Sequence, residues 1–343
     1  MQYAPLKKEE VRRVIEGRGH APRVPLTYQF WTYPGSFREN REQVVRLLET
    51  VPCDIDPVEL CFPQIKTART AEDAYVWNRR PLPEEALRRG YDNRAVLEDW
   101  DSLDEFLEQF PSPEDPRLIP ARGETGQYRL AFWWFCLFER LWEFRGMENA
   151  LMDFYLYPEE LHRLFRKLTD FYMRAMERAA RELHADGIFV SDDLGTQTGP
   201  FFSREIFREF FRPYYQELFQ KAHSLGMHFW LHSCGNIEPL LPDLIEIGLD
   251  VIHPIQKYTM DEEKIAREYG GSICIWYGFD VQQIIPHGTP QQVRDEVQRV
   301  MKLFKRQDGR FLLTMGNNAT PDWPPENLAA LYEESLRLGG FEE

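Results

Sequence analysis

Short apolar runs alternate with amphipathic stretches along most of the chain, and this alternation constrains the fold more than any other feature of the sequence. Eight such runs are present, and several stretches between them repeat apolar residues with the period of about 3.6 that is typical of a helix. Strands that alternate with helices indicate an α/β fold built on a parallel sheet. The runs lie at residues 23–31, 53–62, 128–134, 187–190, 227–231, 250–254, 272–277 and 311–314.

Eight units of strand and helix predict a (β/α)8 TIM barrel. An open doubly wound sheet has the same alternation, but the sequence lacks the glycine-rich turn with which such sheets usually bind dinucleotides. We interpret residues 1–343 as one barrel domain. The chain is longer than the about 250 residues of a typical barrel. The surplus at residues 63–122 is predicted to form an excursion over one mouth, with a short helix at residues 103–110.

Helices can be placed at three positions. Apolar residues recur with helical spacing at residues 207–222. Thr289, followed by Pro290 and Gln292, has the pattern of a capping box with proline at the first helical position, which predicts a helix ending at Phe304. Another helix is predicted from Pro325 to residue 338, where two glycines end it.

Composition disfavours several classes of protein. The net charge is −15, whereas a nucleic-acid-binding protein needs a basic surface. No stretch approaches about 18 uncharged apolar residues, so no membrane span is predicted. The first residues lack the apolar core of a secretion signal. The five cysteines are an odd, sparse set, typical of reduced thiols in a cytoplasmic protein.

Polar side chains follow the apolar runs at the points where we expect strands to end. In a barrel of this kind, the active site lies at the carboxyl ends of the strands. We therefore take these side chains as candidates for catalysis or for substrate binding. They are Asp192 and Asp193, His232 and Cys234, His253 and Gln256, Asp280 and Gln282, and Asn317 and Asn318.

The pair His232 and Cys234 is the sharpest feature. Residues two apart on a strand point to the same side, so the imidazole and the thiolate can converge on one ion. Zinc prefers such nitrogen and sulfur ligands, although a site usually needs three or four of them. The alternative is a hydrogen-bonded histidine beside a buried, inert cysteine.

The two adjacent carboxylates cannot both face the same side of a strand. We expect Asp192 to reach the interior, where it can take a proton, hold a polar group of the substrate or complete a metal site. The alternative is a structural role, in which one acid caps the next helix or pairs with Arg204 or Arg208.

Aromatic residues are concentrated near the predicted strand ends. Most of them are expected in the core, because tryptophan and phenylalanine fill barrels and helix interfaces. Several fall near the predicted mouth, where an aromatic pocket would suit a flat apolar ligand or a quaternary ammonium group. The candidates for substrate binding are Trp31, Tyr33, Trp134, Trp142 and Trp276.

Several segments together resemble the uroporphyrinogen decarboxylase-like superfamily. Their order and spacing carry the resemblance, which is close over the last two thirds of the chain. The segments are residues 191–199 (SDDLGTQTG), 212–215 (RPYY), 222–226 (AHSLG), 232–236 (HSCGN), 245–250 (IEIGLD), 254–256 (PIQ), 278–280 (GFD) and 324–328 (PPENL). The resemblance implies a (β/α)8 barrel.

The superfamily implies two chemistries, and the chain departs from both. One is cofactor-free decarboxylation of uroporphyrinogen, which relies on an arginine-rich segment after the first strand. Here that position reads FWTYPGSF, the essential aspartate falls near Glu59, a tyrosine position holds Trp142, and a histidine position holds Asn317. The other is zinc-assisted methyl transfer between a corrinoid protein and a thiol.

The methyltransferase resemblance implies a metal at His232 and Cys234. A third ligand, a cysteine in those enzymes, falls at Asn317, which is a poor zinc ligand. A carboxylate such as Asp192 or Glu143 can take its place. A site with fewer thiolates is more Lewis-acidic, since each thiolate donates charge to zinc.

Three hypotheses follow for the function. The leading one is a zinc-assisted methyltransferase that moves a methyl group between a small substrate, such as a methoxy-aromatic or methylated-amine donor, and a corrinoid supplied by a partner protein. The second is a metal-free decarboxylase-like lyase acting on a carboxylate substrate, and the third is a non-catalytic binding protein. By analogy with related barrels, the resemblance also implies a homodimer.

Overall fold

Seven parallel strands form the centre of the protein in a computed structural model, which describes residues 3–65, 75–78 and 96–341. Their order in the sheet follows their order in the chain, so each strand pairs in parallel with the next. Such pairing requires a crossover connection between each strand and its neighbour. The strands are β1 (Ile55–Glu59), β2 (Tyr128–Trp133), β3 (Gly187–Ser191), β4 (His228–His232), β5 (Val251–His253), β6 (Cys274–Phe279) and β7 (Phe311–Met315).

The α/β class and the last seven predicted strands are confirmed, but the first predicted strand is not formed. Within residues 23–31, Leu26 makes a single parallel bridge to Leu313 of β7, and its carbonyl accepts the backbone N–H of Asp54, just before β1. The carboxylate of Asp54 takes the N–H of Leu26. This segment therefore lies between the two edge strands of a curled sheet without being a regular strand.

The interior of the sheet is packed with side chains. Every residue of β3, β4, β6 and β7 is buried, as expected for parallel strands that are covered on both faces. The rings of Trp230 and Phe189 pack against Trp276 at centroid distances of 5.0 and 5.5 Å. This part of the sheet is therefore a solid core, and the open space lies above it, at the carboxyl ends of the strands.

Helices connect the strands and cover the sheet. The predicted capping box is confirmed, since the side chain of Thr289 accepts the N–H of Gln292 at the start of its helix. Helices are also confirmed after Pro325 and within residues 207–222. The helices are α1 (Lys8–Ile15), α2 (Arg41–Leu48), α3 (Leu103–Glu108), α4 (Phe138–Arg145), α5 (Met147–Leu156), α6 (Pro158–Leu183), α7 (Arg212–Ser224), α8 (Leu241–Glu246), α9 (Glu262–Glu268), α10 (Ile284–His287), α11 (Pro290–Phe304) and α12 (Pro325–Gly339).

Shorter turns complete the described chain. The one that precedes α7 is a π-helical turn, which starts the helix predicted at residues 207–222 in a wider form. The short elements are 3-10 turns at Tyr28–Phe30, Pro34–Asn40, Trp100–Ser102 and Glu238–Leu240, an α-helical turn at Arg204–Ile206 and the π turn Phe207–Phe211.

The predicted excursion at residues 63–122 falls partly outside the described residues, so as a unit it stays a prediction. Its described part contains the expected short helix, α3, and residues 63–65 contribute to the wall of a cavity above β1 and β2. In the described ranges, no helix combines the length and the apolar surface needed to cross a bilayer. All five cysteines are free thiols.

Candidate active site

Three polar residues stand side by side at the carboxyl ends of adjacent strands. Ser191 of β3 pairs with His232 of β4, and His232 pairs with His253 of β5. Because parallel register brings these residues into one row, their side chains emerge at the same level of the sheet. The row therefore forms the floor of the site, at the end of the fold where barrel enzymes carry out their chemistry.

A chain of hydrogen bonds fixes the protonation of the two histidines. Nε2 of His253 lies 2.9 Å from the carbonyl oxygen of Met315, and Nδ1 of His253 lies 2.7 Å from Nδ1 of His232. A carbonyl oxygen only accepts, so Nε2 of His253 carries a proton and its Nδ1 is an acceptor. His232 must then donate from Nδ1, which leaves a lone pair on its Nε2.

That lone pair faces two further candidate ligands. Nε2 of His232 lies 3.3 Å from Sγ of Cys234 and 3.5 Å from Oδ1 of Asp193. The ligand atoms of these three residues all lie within 4.8 Å of one another. We call this group the His–Cys–Asp cluster. Its geometry brings together the two residues that the sequence pattern paired, and it adds a carboxylate.

A tight contact between two loops holds the cluster together. The loop after β4 approaches the loop after β3 at Gly235, where a Cβ atom would lie 2.3 Å from the backbone of Gly195. Gly235 also has φ = +84°, a backbone conformation that favours glycine. Oδ1 of Asp193 accepts the N–H of Cys234 at 2.7 Å, and Asn236 donates its N–H to the carbonyl of Thr196. The segment 233–236 is therefore held close to Asp193.

Burial sets the charges of the cluster. Burial lowers the pKa of His232, although Asp193 opposes the shift, and burial and the neighbouring His232 lower the pKa of His253 far below its usual range. Burial and Asp193 raise the pKa of the Cys234 thiol. Without an ion, both imidazoles are therefore neutral and the thiol is protonated near neutral pH. The neutral imidazole is the form that binds metal ions.

The prediction that Asp192 reaches the interior is wrong, because Asp193 takes that place. Asp192 is fully buried on the helix side of the sheet, where its carboxylate accepts the N–H groups of Leu137, Phe138 and Glu139 at distances of 2.7 to 3.1 Å. It also accepts the hydroxyl of Tyr215 at 2.5 Å. Asp192 therefore holds the start of α4, which is the structural alternative considered for this pair.

A cavity of about 910 Å³ opens above the cluster. Three of the residues predicted to bind substrate, Trp31, Trp134 and Asn317, lie in its wall, together with His232 and Asp193. The sequence pattern missed four charged residues there, because they lie on the β1 end and on α4 rather than directly after a strand. The missed residues are Glu59, Glu139, Arg140 and Glu143, of which Glu143 was considered only as a metal ligand.

Four of the predicted substrate-binding residues do not face this cavity. Tyr33 is 73% exposed on the surface, and Trp142 packs its half-buried ring on Phe135. Trp276 is buried in the core, where its indole N–H donates to Thr27. His253 is buried behind His232 and stacks on Trp31 at a centroid distance of 4.9 Å, so it supports the imidazole instead of the substrate.

The remaining predicted residues line a second, smaller cavity of about 110 Å³, on the other side of Cys234. Gln256 and Asp280 lie in its wall, and Asn317 belongs to the walls of both cavities. Oε1 of Gln256 accepts the N–H of Gly235 at 2.6 Å, while Asp280 accepts the hydroxyl of Tyr258 at 3.0 Å. Both side chains therefore stabilise loops around the cluster. Nδ2 of Asn317 lies 3.7 Å from Sγ of Cys234, within reach of a weak hydrogen bond.

The curled parallel sheet, with a His–Cys–Asp cluster at the carboxyl ends of its strands, defines an α/β protein with a barrel-like sheet. The chain belongs to the uroporphyrinogen decarboxylase (URO-D) family, whose model matches residues 139–337. The predicted family is therefore confirmed. The match begins at α4 and includes every residue of the cluster.

Two curated relatives are similar in sequence. One is a methylated-thiol–coenzyme M methyltransferase from Methanosarcina mazei, 27% identical over 151 residues, which are 43% of this chain and 38% of that protein. The other is a uroporphyrinogen decarboxylase from Xanthomonas oryzae, 24% identical over 185 residues, which are 53% of this chain and 51% of that protein. The matched part thus spans about half or less of each relative. Both relatives are enzymes.

A solved structure shares the fold over nearly the whole chain. It is a methyltransferase from Methanosarcina mazei, with a TM-score of 0.59 and 15% sequence identity, and the superposition covers 97% of this chain and 99% of that one. At this identity the likeness concerns the fold. The chain is thus similar in sequence to a methyltransferase and to a decarboxylase.

Proposed function

We propose that the protein is a zinc-assisted methyltransferase that moves a methyl group between a small substrate and a corrinoid carried by a partner protein. The observation that carries the proposal is the hydrogen-bond chain from Met315 through His253 to His232, which leaves a lone pair on Nε2 of His232 facing Cys234 and Asp193. Metal-binding histidines are commonly oriented by a hydrogen bond from the ring nitrogen that does not bind the metal. A metal-free role for His232 would not require its lone pair to point at a thiol and a carboxylate.

The cluster fits zinc in its chemistry, and two of its three ligand-atom separations match those of a zinc site. Its donors are one nitrogen, one sulfur and one oxygen, all of which zinc accepts. Zinc bonds of about 2.0–2.3 Å at tetrahedral angles put neighbouring ligand atoms roughly 3.3–3.8 Å apart. The distances from Nε2 of His232 to Cys234 and Asp193, 3.3 and 3.5 Å, lie in this range. Three protein ligands are typical of a catalytic zinc site, in which the fourth position takes the substrate.

Zinc bound there would act as a Lewis acid that polarises the heteroatom carrying the methyl group. The chain's own residues prepare the site for it. His253 holds the proton-donating Nδ1 of His232 away from the cavity, and Trp31 stacks on His253 and shields the hydrogen-bond chain from water. Asp193 adds a second negative charge to that of the Cys234 thiolate.

Asn317 favours transfer from the substrate towards the corrinoid. A cysteine at this position in related methyltransferases would add a second thiolate, whereas Asn317 is 3.7 Å from Sγ of Cys234 and is able to donate a hydrogen bond to it. A site with a single thiolate, partly neutralised by a hydrogen bond, is a stronger Lewis acid. Such a site suits the removal of a methyl group from a poorly activated donor. In such a transfer the carbon–heteroatom bond would break with its electron pair left on the heteroatom, and the electron pair of the new bond to the methyl group would come from a reduced corrinoid.

The second candidate is a lyase acting on a carboxylate, and the similarity to a uroporphyrinogen decarboxylase supports it. The wall of the large cavity argues against it. Four of the five charged side chains that the described residues contribute to the wall are acidic. Like charges would repel a carboxylate substrate from this cavity.

The test compares metal content and methyl transfer in the same preparations. Protein purified without chelators is analysed for zinc, and methyl transfer from candidate methoxy, methylthio and methylamine donors to free reduced cobalamin is followed by absorbance. We expect about one zinc per chain, and loss of both zinc and transfer in His232→Ala and Cys234→Ser. Transfer that survives without zinc, or carbon dioxide release from a carboxylate by both variants, would disprove the proposal.

A further inference from the structure

The charges in the wall of the large cavity are unbalanced. Among the described residues, its carboxylates are Glu59, Glu139, Glu143 and Asp193, and its one cation is Arg140. That guanidinium already forms an ion pair with Glu143 and donates to the carbonyl of Trp134 at 3.0 Å. The cation is therefore paired with Glu143, and it also lies close enough to Glu139 to interact with its charge. Glu59 and Asp193 form no ion pair with it.

A divalent ion in the His–Cys–Asp cluster would not restore the balance. Its two charges are matched by the thiolate of Cys234 and the carboxylate of Asp193, which are two of its own ligands. Glu59 and Glu139 remain. Among the described residues, these two glutamates form no ion pair and are not ligands of the proposed metal, so they are the carboxyl groups of the cavity with which a cationic ligand can pair.

Glu139 is the more deeply buried of these two glutamates. The residue is 5% exposed, and one carboxylate oxygen accepts the hydroxyl of Ser191 at 2.6 Å. Its other oxygen has no hydrogen-bond partner among the described residues, although the side chain lies in the cavity wall. Burial and the charges of Asp193 and Asp192 raise the pKa of Glu139 well above its usual range. Burial of a negative charge is costly, so a positively charged ligand beside this carboxyl group would favour its ionised form.

Aromatic rings complete the surroundings of these carboxylates. Trp31 and Trp134 meet at a centroid distance of 5.7 Å and an angle of 59°, which forms a corner of the wall. The indole of Trp134 also donates a hydrogen bond to Glu59. Tryptophan faces attract cations, and most strongly where water is excluded. The rings and the glutamates thus favour the same kind of ligand, for independent reasons.

We propose that the methyl donor is an organic cation, whose positively charged group is held by Glu59, Glu139 and Trp134 in the large cavity. The inference rests on the proposed function, because it assigns the substrate class of that same site. The charged group and the methyl-bearing atom are different parts of the donor. A quaternary nitrogen has no lone pair for a metal, so the methyl group leaves from an oxygen, sulfur or neutral amine nitrogen placed near His232.

The test compares binding of choline with that of its carbon isostere, in which a tert-butyl group replaces the trimethylammonium group. The two molecules have nearly the same shape and differ in charge. Binding to the full-length protein is measured by calorimetry, with and without added zinc. We expect choline to bind at least about tenfold more tightly than the isostere, since both a cation–π contact and a charge-assisted contact with a carboxylate favour the charged molecule.

Glu59→Gln and Glu139→Gln each remove one charge with almost no change of shape. We expect each to reduce the preference for choline several-fold and to leave the zinc content unchanged. Glu333→Gln, on the outer surface of α12, is the matched control and should leave the preference intact. Glu59 is exposed at the end of β1, so its variant folds even if Glu139→Gln does not.

Equal affinities for choline and the isostere in the unmodified protein would overturn the inference, as would a preference that survives both glutamate variants. The result is separable from the proposed function. Zinc binding and methyl transfer without a preference for choline over its isostere would disprove only the assignment of a cationic substrate. A preference for choline in a protein that retains no zinc would disprove the zinc-assisted methyltransferase proposal and would still support the cation site.

Discussion

Two histidines at opposite ends of β4 have different surroundings, although both are buried and point to the same side of the strand. At the amino end, Nδ1 of His228 lies 2.9 Å from the hydroxyl of Tyr128, and Nε2 lies 3.2 Å from Glu16. At the carboxyl end, Nδ1 of His232 forms a hydrogen bond with His253. Its Nε2 faces the candidate ligands Cys234 and Asp193. His228 has both ring nitrogens committed to neighbouring parts of the fold.

This difference shows how residue type and position separate stability from function in a parallel sheet. The amino ends of barrel strands are generally used for stability and the carboxyl ends for chemistry. Tyr128 also accepts the indole N–H of Trp230, so His228 belongs to a closed polar network beneath the core. His232 is the last residue of its hydrogen-bond chain, and its Nε2 lies at the large cavity. Matching substitutions at the amino and carboxyl ends of β4 test this difference.

The largest expected effect is the loss of bound zinc. We expect His232→Ala to remove zinc from the purified protein, because the ion loses a ligand that no neighbour replaces. The paired variant His228→Ala should retain zinc and unfold more easily, by about 1–3 kcal/mol, since it leaves buried polar partners unsatisfied. Elemental analysis and denaturant unfolding measure the two results. If His232→Ala retained zinc, His232 would not be a metal ligand, and its role would not differ from that of His228.

The hydrogen-bond chain behind His232 gives the next largest effect. His253→Phe keeps a ring against Trp31 but removes the acceptor that fixes the tautomer of His232. Loss of such an outer partner typically lowers metal affinity about 10–100-fold, and we expect a decrease of that size in competition with a chromophoric chelator. Tyr128→Phe, which removes the corresponding partner of His228, should leave the zinc affinity unchanged. A similar affinity in both variants would mean that His253 does not orient His232.

The pH dependence of zinc binding gives a third test. Burial lowers the pKa of His232 and raises that of the Cys234 thiol, so near neutral pH the imidazole has no proton to lose and the thiol has one. Zinc binding therefore releases about one proton, and the apparent affinity rises about tenfold per pH unit as long as the pH stays below the thiol pKa. Calorimetry in buffers of different ionisation enthalpy counts the proton. Release of no proton would exclude Cys234 as a ligand.

Much of the fold follows from local sequence patterns. Strands β1 to β7 lie where apolar runs were seen, and α11 begins at Pro290, directly after its N-cap residue Thr289, because both signals depend on neighbouring residues only. The segment at residues 23–31 has the same apolar pattern but forms only two isolated bridges, at Arg23 and at Leu26. The backbone N–H of Leu26 is taken by the carboxylate of Asp54, a contact between residues 28 positions apart that no local pattern encodes.

The candidate site was predictable only in part, for a similar reason. The two-residue spacing of His232 and Cys234 was enough to bring them together, because His232 is the last residue of β4 and Cys234 lies two residues further on. The roles of Glu139 and His253 depend on contacts between different strands and helices, with Ser191 and His232 respectively. Alternation along β3 leaves open which of two adjacent carboxylates faces inward once the strand has ended at Ser191.

The smallest expected effects separate those two carboxylates. Asp192→Asn places an amide where three backbone N–H groups and a tyrosine hydroxyl now donate, so we expect it to destabilise the fold by about 1–3 kcal/mol with zinc affinity unchanged. Asp193→Asn keeps the size of the side chain but weakens a ligand, so we expect up to about a tenfold loss of zinc affinity at unchanged stability. Unfolding curves and chelator competition on both variants would measure this opposition. The opposite result, in which Asp192→Asn lowers zinc affinity and Asp193→Asn does not, would show that Asp192 is the ligand and would contradict its place between the start of α4 and Tyr215.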